Sequence, residues 1–256
     1  MTIENVLTRR QVFNQRFAGG EAIAAENILK RIYAKINERL LRDPTEFQQL
    51  NMTRIRNDIN NILAIDLDDM KGEILDGALD FAEAEGEFMY TALSSETSVV
   101  LALPAIEQIK QAVVQAGMDV VVGSGTLTIN EALDKFAVNK GVEIRAAIND
   151  GILTGQTNQQ IAAQIKDYGD NLHKGQINAL VRTSINNAST QARRIVTEEN
   201  QNILKGDEWV ATLDSRTTLI CGGRDGNIYP INSGPFPPAH WNCRSLRVPV
   251  VKDEFR

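Results

Sequence analysis

Hydrophobic side chains recur every three or four positions through much of the first hundred residues, the spacing that places them on one face of an α-helix. The clearest stripe comprises Ile23, Ile28, Leu29, Ile32, Tyr33, Ile36 and Leu40. Asp43 can cap a second helix, Pro44 suits its first position, and Glu46 falls at the capping-box position. The pattern continues along Ile55, Ile59, Ile62 and Leu63. A third helical stretch is predicted over 66–93.

Helix signals continue through the middle of the chain. Pro104 is expected to open a helix that ends at Gly117, and residues 118–127 are interpreted as a connector or a short strand. Capping boxes then predict two further helices, one from Thr128 with Glu131 towards Gly151 and one from Thr157 with Gln160 over 161–168. A longer helix is predicted over 174–204.

Turn residues and short alternating runs replace this pattern after Gly206. Residues 209–213 and 245–251 are predicted to be strands, and the Asp225-Gly226 turn favours a hairpin to 227–229. The predicted fold is therefore α+β, predominantly α-helical with a small β-rich C-terminal module. The expected division is a helical N-terminal region (1–117), a connector (118–127) and a C-terminal domain (128–256), with helices over 128–205 and the β-rich module over 206–256.

Composition narrows the functional classes. No apolar run approaches the roughly 20 residues that span a bilayer, and the first residues do not resemble a signal peptide, so we expect folding in a cytosol without membrane contact. Net charge is −6, but residues 1–42 hold eight Lys or Arg against four acids, whereas residues 57–98 hold eleven acids against one Lys. These segments are either solvated helix faces or contacts to DNA or an acidic partner.

The two cysteines and a nearby histidine are the candidate chemistry. His240-x-x-Cys243 places two metal-binding side chains on one turn, and Cys221 lies 22 positions before Cys243. Thiolate and imidazole are ligands that tetrahedral zinc prefers, and either Asp214 or Asp225 could supply an oxygen as the fourth ligand. Two alternatives stay open: a Cys221–Cys243 disulfide formed after the protein leaves the reducing cytosol, and plain packing of buried cysteines. Catalysis is not expected, because no general base or nucleophile motif accompanies the cluster.

The C-terminal motifs resemble those of the Mu-F-like phage head-morphogenesis family. The resemblance is carried by a strand at Trp209 followed by Asp214-Ser-Arg216-Thr217, then Cys221, Asp225-Gly226 and the closing Pro237-Pro238-Ala-His240-Trp-Asn-Cys243-Arg244. Upstream, residues 154–165 resemble the short helix that precedes this pattern in the family. Leu180-Val-Arg182-Thr183 resembles its long helix. Many relatives have Cys-x-x-Cys at the first site, where this chain has Thr218.

The resemblance implies a structural minor capsid protein of a tailed bacteriophage, assembled in the bacterial cytoplasm and located at or near the portal inside the head. Its implied partners are the portal protein and the major capsid protein, with non-specific contact to packaged DNA. Two alternatives are an ejection protein delivered with the genome and an enzyme that acts after delivery. Asp214, Arg216, Thr217 and Arg244 are interpreted as residues that fix loops. His173 is interpreted as a helix-end residue, and Arg182, Arg193 and Arg194 as either a solvated face or a contact to DNA or the portal.

Overall fold

The structure, a computed structural model, describes residues 2–42, 49–121, 125–171 and 174–256. It is mostly helical with small antiparallel sheets, which confirms the predicted fold class. The helices are α1 (Ile3–Leu41), α2 (Gln49–Ser94), α3 (Ile106–Gln115), α4 (Ile129–Leu153), α5 (Asn158–Asn171), α6 (Lys174–Glu199) and α7 (Leu219–Arg224). Within the described ranges, none of these helices is long and apolar enough to cross a membrane.

The helices differ from the predicted ones mainly in length. α1 begins at Ile3 rather than near residue 20, and α2 joins the two predicted stretches into one helix. α6 ends at Glu199 instead of 204, because residues 201–203 form a 3-10 turn and Leu204 begins a strand. Gly222-Gly223 lies within the short helix α7. The capping signals at 43–46, Gly123-Ser124 and His173 lie outside the described residues.

Two antiparallel sheets follow the predicted strand regions. β1 (Met118–Val121) pairs with β2 (Gly125–Leu127), so the connector contains strands. β3 (Leu204–Val210) is the central strand of a sheet completed by β4 (Ile228–Tyr229) and β5 (Leu246–Val251). β3 pairs with β4 in antiparallel orientation, but residues 211–227, which include α7, connect the two strands, so they do not form the predicted Asp225-Gly226 hairpin. β3 also starts five residues earlier than expected and ends at Val210. Gly226 adopts a φ of 75° and donates its N–H to the Trp209 carbonyl.

The chain divides into two compact units. The sheet unit comprises Met1–Gly20, Leu75–Asn130 and Leu180–Arg256, and the helical unit comprises Glu21–Ile74 and Glu131–Ala179. The apolar core of the sheet unit includes Leu7, Met89, Leu93, Val196, Ile203, Leu246 and Val248. These residues come from α1, α2, α6, the 3-10 turn before β3 and strand β5, so the core joins the first and last parts of the chain.

A buried charged group also lies in the sheet unit. The side chain of Glu85, on α2, is fully buried and accepts hydrogen bonds from Arg10 at 2.9 Å, Asn14 at 3.1 Å and Arg193 at 2.7 Å. Burial raises the pKa of Glu85, but the two arginines outweigh it and the pKa is lowered. Arg193 is therefore buried and paired. The expectation that it faces solvent, DNA or the portal was wrong.

Ion pairs inside the helical unit account for part of the uneven charge distribution. Lys35 pairs with Asp66 and Arg39 pairs with Asp58, both at 2.6 Å, which connects the basic first segment to the acidic second one. Lys71 lies 2.6 Å from Asp134. Some charges that suggested an external acidic partner are thus neutralised within the chain.

Candidate metal centre

The first donor of the site is placed by α7. Thr218 is the N-cap residue of this helix, and its hydroxyl accepts a hydrogen bond from the Cys221 N–H. Cys221 is therefore fixed in the first turn, with its side chain buried against Trp209 and Ala239. The hydrogen bond from this N–H, which would otherwise be unpaired at the helix start, stabilises α7 and so offsets the poor helix propensity of Gly222 and Gly223.

The other two donors lie on one tight turn after the cis Pro237-Pro238 bond. The N–H of Cys243 donates to the carbonyl of His240 at 3.1 Å, which brings the two side chains to the same side of the turn. Asn242 adopts a φ of 60°, and its N–H donates to the hydroxyl of Thr183 at 2.9 Å. Because Thr183 is fully buried on α6, this hydrogen bond fixes the turn to the long helix.

The three donor atoms have the separations of a tetrahedral metal site. Cys221 Sγ lies 3.8 Å from Cys243 Sγ and 3.2 Å from His240 Nε2, and all three atoms lie within 4.8 Å of one another. Zn–S bonds of about 2.3 Å and Zn–N bonds of about 2.0 Å at tetrahedral angles would separate two sulfurs by roughly 3.8 Å, and sulfur from nitrogen by roughly 3.5 Å. The sulfur pair matches this distance, and the sulfur–nitrogen pair is slightly closer. The cluster could hold a metal ion.

The same distance describes two free thiols rather than a disulfide. Both cysteines are buried and unbonded, and a separation of 3.8 Å exceeds the S–S bond length of about 2.05 Å. The disulfide considered from the sequence is therefore not formed in this state of the protein.

His240 is oriented by its own turn. Its Nδ1 lies 2.8 Å from the carbonyl oxygen of Trp241, a contact that favours the proton on Nδ1. Nε2 is then left with a lone pair directed at Cys221. A carbonyl behind the imidazole is the usual way in which proteins fix a metal-binding tautomer.

The environment of the thiols favours one thiolate. The hydrogen bond from Cys221, opposed by burial and assisted by backbone N–H groups and Ser245, lowers the pKa of Cys243 to about 6. The same hydrogen bond and burial raise the pKa of Cys221. At neutral pH this favours a thiolate at Cys243 that accepts a hydrogen bond from the Cys221 thiol. Thiolate is the form that binds metal.

The predicted oxygen ligands are engaged elsewhere. Both carboxylate oxygens of Asp214 accept hydrogen bonds from Arg244, and Asp225 Oδ1 accepts one from the Ala211 N–H at 2.7 Å. Asp214 also caps its own turn by accepting from the Arg216 N–H, while its N–H donates to Thr217 Oγ1. The structure therefore brings together Cys221, His240 and Cys243 and places Asp214 in a loop-fixing role.

The remaining motif residues form the support of the cluster. Trp209, on β3, is fully buried, and the Arg224 guanidinium lies 5.1 Å from the centre of its ring. Pro237 and Pro238 are buried and precede in sequence the turn formed by residues 240–243, which we call the histidine turn. Sequence reasoning missed the roles of Thr218, treated only as a replaced cysteine, and of Ser245. The helix-capping preference of threonine was the available signal for Thr218.

Comparisons with known proteins agree with the C-terminal motifs. Residues 142–247 match the family model described as phage Mu protein F like protein. An uncharacterized protein of Haemophilus influenzae is 30% identical over 116 residues, which cover 43% of this chain and 25% of that protein. The chain thus spans about a quarter of the length of the curated relative it matches. No solved structure matches the chain significantly.

Proposed function

We propose, from the premise that residues 142–247 form a phage Mu protein F-like domain, that the chain is a structural minor head protein of a tailed bacteriophage. We place it at or near the portal inside the head, with the portal protein or the major capsid protein as its partner. The observation that carries the proposal is that the family match includes α7, the histidine turn and most of the sheet. The matched residues include those that build the candidate metal centre.

A structural role for the centre is supported by its burial. Cys221 and Cys243 are buried and His240 is half-buried, so the cluster lies within the small C-terminal module. Structural zinc sites are of this enclosed kind, and they stabilise modules whose hydrophobic core is small. We propose that zinc is bound by these three side chains, with the fourth ligand supplied by a partner protein. Bound zinc would connect α7 to the histidine turn.

Contact with packaged DNA is the alternative, and it has less support. Arg10, Lys35 and Arg39 of the basic first segment pair with acids of the same chain. Fewer of its charges are therefore available for phosphates. Retention on DNA that falls steeply with salt would favour this alternative.

The proposal is tested on particles made by the phage or prophage that encodes the chain. Quantitative mass spectrometry of purified proheads and virions should find the protein in fewer copies than the major capsid protein. Cross-linking should connect it to the portal. Absence from both particles would contradict a structural head role, and presence without a portal cross-link would contradict the location alone.

A further inference from the structure

An open pocket with a volume of about 200 Å³ lies in the helical unit, where residues of α2 and α4 line it. Its lining residues are Arg56, Ile59, Asn60, Arg145, Ile148 and Asn149. We call these six residues the Arg/Asn pocket. Each helix contributes three of them, and none is a donor of the candidate metal centre.

The two helices build this pocket from the same sequence pattern. Residues 55–60 of α2 read Ile-Arg-Asn-Asp-Ile-Asn, and residues 144–149 of α4 read Ile-Arg-Ala-Ala-Ile-Asn. An arginine and an asparagine four positions apart lie on the same face of a helix, one turn from each other. The isoleucines of both segments are buried, whereas the arginines and asparagines are exposed. Each helix therefore presents one arginine and one asparagine beside a shared apolar floor.

The direction of the helices places these side chains at both ends of the pocket. Lys71 of α2 lies 2.6 Å from Asp134 of α4, and the pocket residues follow Asp134 but precede Lys71, so the two helices run antiparallel. Arg56 precedes Lys71 by 15 residues, and Asn149 follows Asp134 by 15 residues. Because both helices rise by the same amount per residue, Arg56 falls opposite Asn149. The other arginine and asparagine pair up in the same way one turn further along.

The positive charge of the Arg/Asn pocket is not neutralised by its own lining. None of the six lining residues is acidic, and within the described ranges neither arginine forms an ion pair. The acids nearest to these arginines along the two helices, Asp58 and Glu143, pair with Arg39 at 2.6 Å and with Lys140 at 2.7 Å. Both guanidinium groups are therefore available to an anion.

The donors of the pocket exceed what a carboxylate can accept. Each guanidinium can direct two parallel N–H groups at an anion, and each asparagine amide adds further N–H donors. A carboxylate has one charge and two oxygens, which a single arginine already satisfies. A phosphate group with a charge close to −2 has three acceptor oxygens, so it matches two arginines. The volume is below the roughly 300 Å³ at which sites for drug-sized ligands begin, which favours a single ionic group.

We propose that the Arg/Asn pocket binds a phosphate dianion, either free phosphate or the terminal phosphate of a nucleotide. Arg56 and Arg145 would donate to it from the two helices, and the asparagine amides would donate to the remaining oxygens. The buried isoleucines beneath the ligand would exclude water from that side and so strengthen the charged hydrogen bonds. The inference rests on this pocket and not on zinc or on a location in the phage head.

Isothermal titration calorimetry of the full chain with inorganic phosphate tests the site. We expect saturable binding of one phosphate per chain, and Arg56→Gln and Arg145→Gln should each weaken it about tenfold, because each removes a charged donor. Arg56→Lys should cause a smaller loss, since lysine keeps the charge but not the paired donors. Arg31→Gln, at an exposed arginine of the same unit outside the pocket, should leave the affinity unchanged.

Competition experiments distinguish the sources of the phosphate group. Thymidine 5′-monophosphate should compete with inorganic phosphate if the pocket accepts a nucleotide, and should fail to compete if it accepts the free ion alone. The affinity for a competing nucleotide should fall as the pH is lowered from about 7 to about 5, because its phosphate loses the second charge with a pKa of about 6.

Three outcomes would overturn the proposal. One is no saturable binding of phosphate up to about 10 mM. Another is equal phosphate affinity of the wild type and of either glutamine variant, or acetate binding as tight as phosphate binding. The third is binding of oligothymidylate without a terminal phosphate that depends on Arg56 and is not displaced by inorganic phosphate, because the occupant would then be a nucleic-acid backbone.

Discussion

Asp214 and Arg244 form a bidentate ion pair, with each carboxylate oxygen 2.6 Å from a guanidinium nitrogen. The pair connects the turn that leads into α7 to the residue that follows Cys243. Hydrogen bonds from Arg244 and from the Arg216 N–H hold the pKa of Asp214 below its usual range. The two segments that carry the thiols are therefore joined by a charged contact next to the candidate metal centre.

Removing this contact should weaken metal binding without abolishing it. We expect Arg244→Gln to lower the zinc affinity roughly tenfold, the lower end of the effect of groups behind the ligands, because the α7 segment and the histidine turn lose their connection. Arg244→Lys should have an intermediate effect, since lysine keeps the charge but not the bidentate geometry. Competition with a chromophoric chelator measures the affinity. Equal zinc affinities of the wild type and Arg244→Gln would mean that the ion pair does not contribute to metal binding.

Metal content and thiol state test the centre directly. We expect about one zinc per chain by elemental mass spectrometry, with both thiols unreactive until chelator is added, because bound thiolates are shielded. Cys221→Ser, Cys243→Ser and His240→Ala should each lose most of the metal. Zinc should also raise the melting temperature of the wild type, whereas magnesium should not, because it prefers oxygen ligands.

The opposite results would each have a definite meaning. Two thiols that react before chelation, in a protein without zinc, would leave the cysteines as packed side chains. Loss of both thiols under non-reducing conditions would indicate an oxidised pair, which requires the sulfurs to approach from their present 3.8 Å.

The three donors could be predicted from the sequence, but their support could not. A histidine and a cysteine three positions apart can lie on one turn, so the spacing of His240 and Cys243 indicated a pair of ligands. The contact between Thr183 and the Asn242 N–H joins positions 59 residues apart, and no local pattern encodes it. The hydrogen bond from His240 to the Trp241 carbonyl could not be predicted either, because every residue type has a backbone carbonyl and the sequence does not show which one is the acceptor.

Helix identity was likewise more predictable than helix extent. The stripe from Ile23 to Leu40 indicated α1 correctly, but residues 3–20 were not recognised as its first half. That half buries Gln11 and Asn14 in a polar network between Leu7 and Ala18, so its inward face is only partly apolar. Hydrophobic periodicity detects only faces that are buried in an apolar environment.

Glu85 should be the most sensitive charged position in the sheet unit. Glu85→Ala leaves Arg10 and Arg193 without their common partner in a buried site, a change that typically costs about 3–5 kcal/mol in the free energy of unfolding. Urea denaturation followed by circular dichroism measures the loss. Glu38→Ala removes the exposed pair between Glu38 of α1 and Arg42, and should cost within about 1 kcal/mol. Similar losses for the two variants would mean that the buried network contributes little.

Asp207 is a buried carboxyl with one weak partner. It lies on β3, where Arg247 Nε is 3.4 Å from its Oδ2, while the other Arg247 nitrogens donate to the carbonyls of Ser233 and Pro230. Burial raises the pKa of Asp207 to about 7, because Arg247 offsets the desolvation only in part and Glu198 adds to the rise.

The free energy of unfolding should therefore fall as the pH rises towards 7. Between an unfolded pKa of about 3.9 and the folded value, the native state holds a proton that the unfolded chain has released, so the contribution is complete at low pH and is lost on passing pH 7. Relative to Asp207→Asn, which cannot ionise, the wild type should gain up to about 3 kcal/mol between pH 8 and pH 5. Guanidinium denaturation of both proteins at the two pH values measures this difference. A difference that does not change with pH would mean that Asp207 is ionised throughout and that its pairing with Arg247 outweighs its burial.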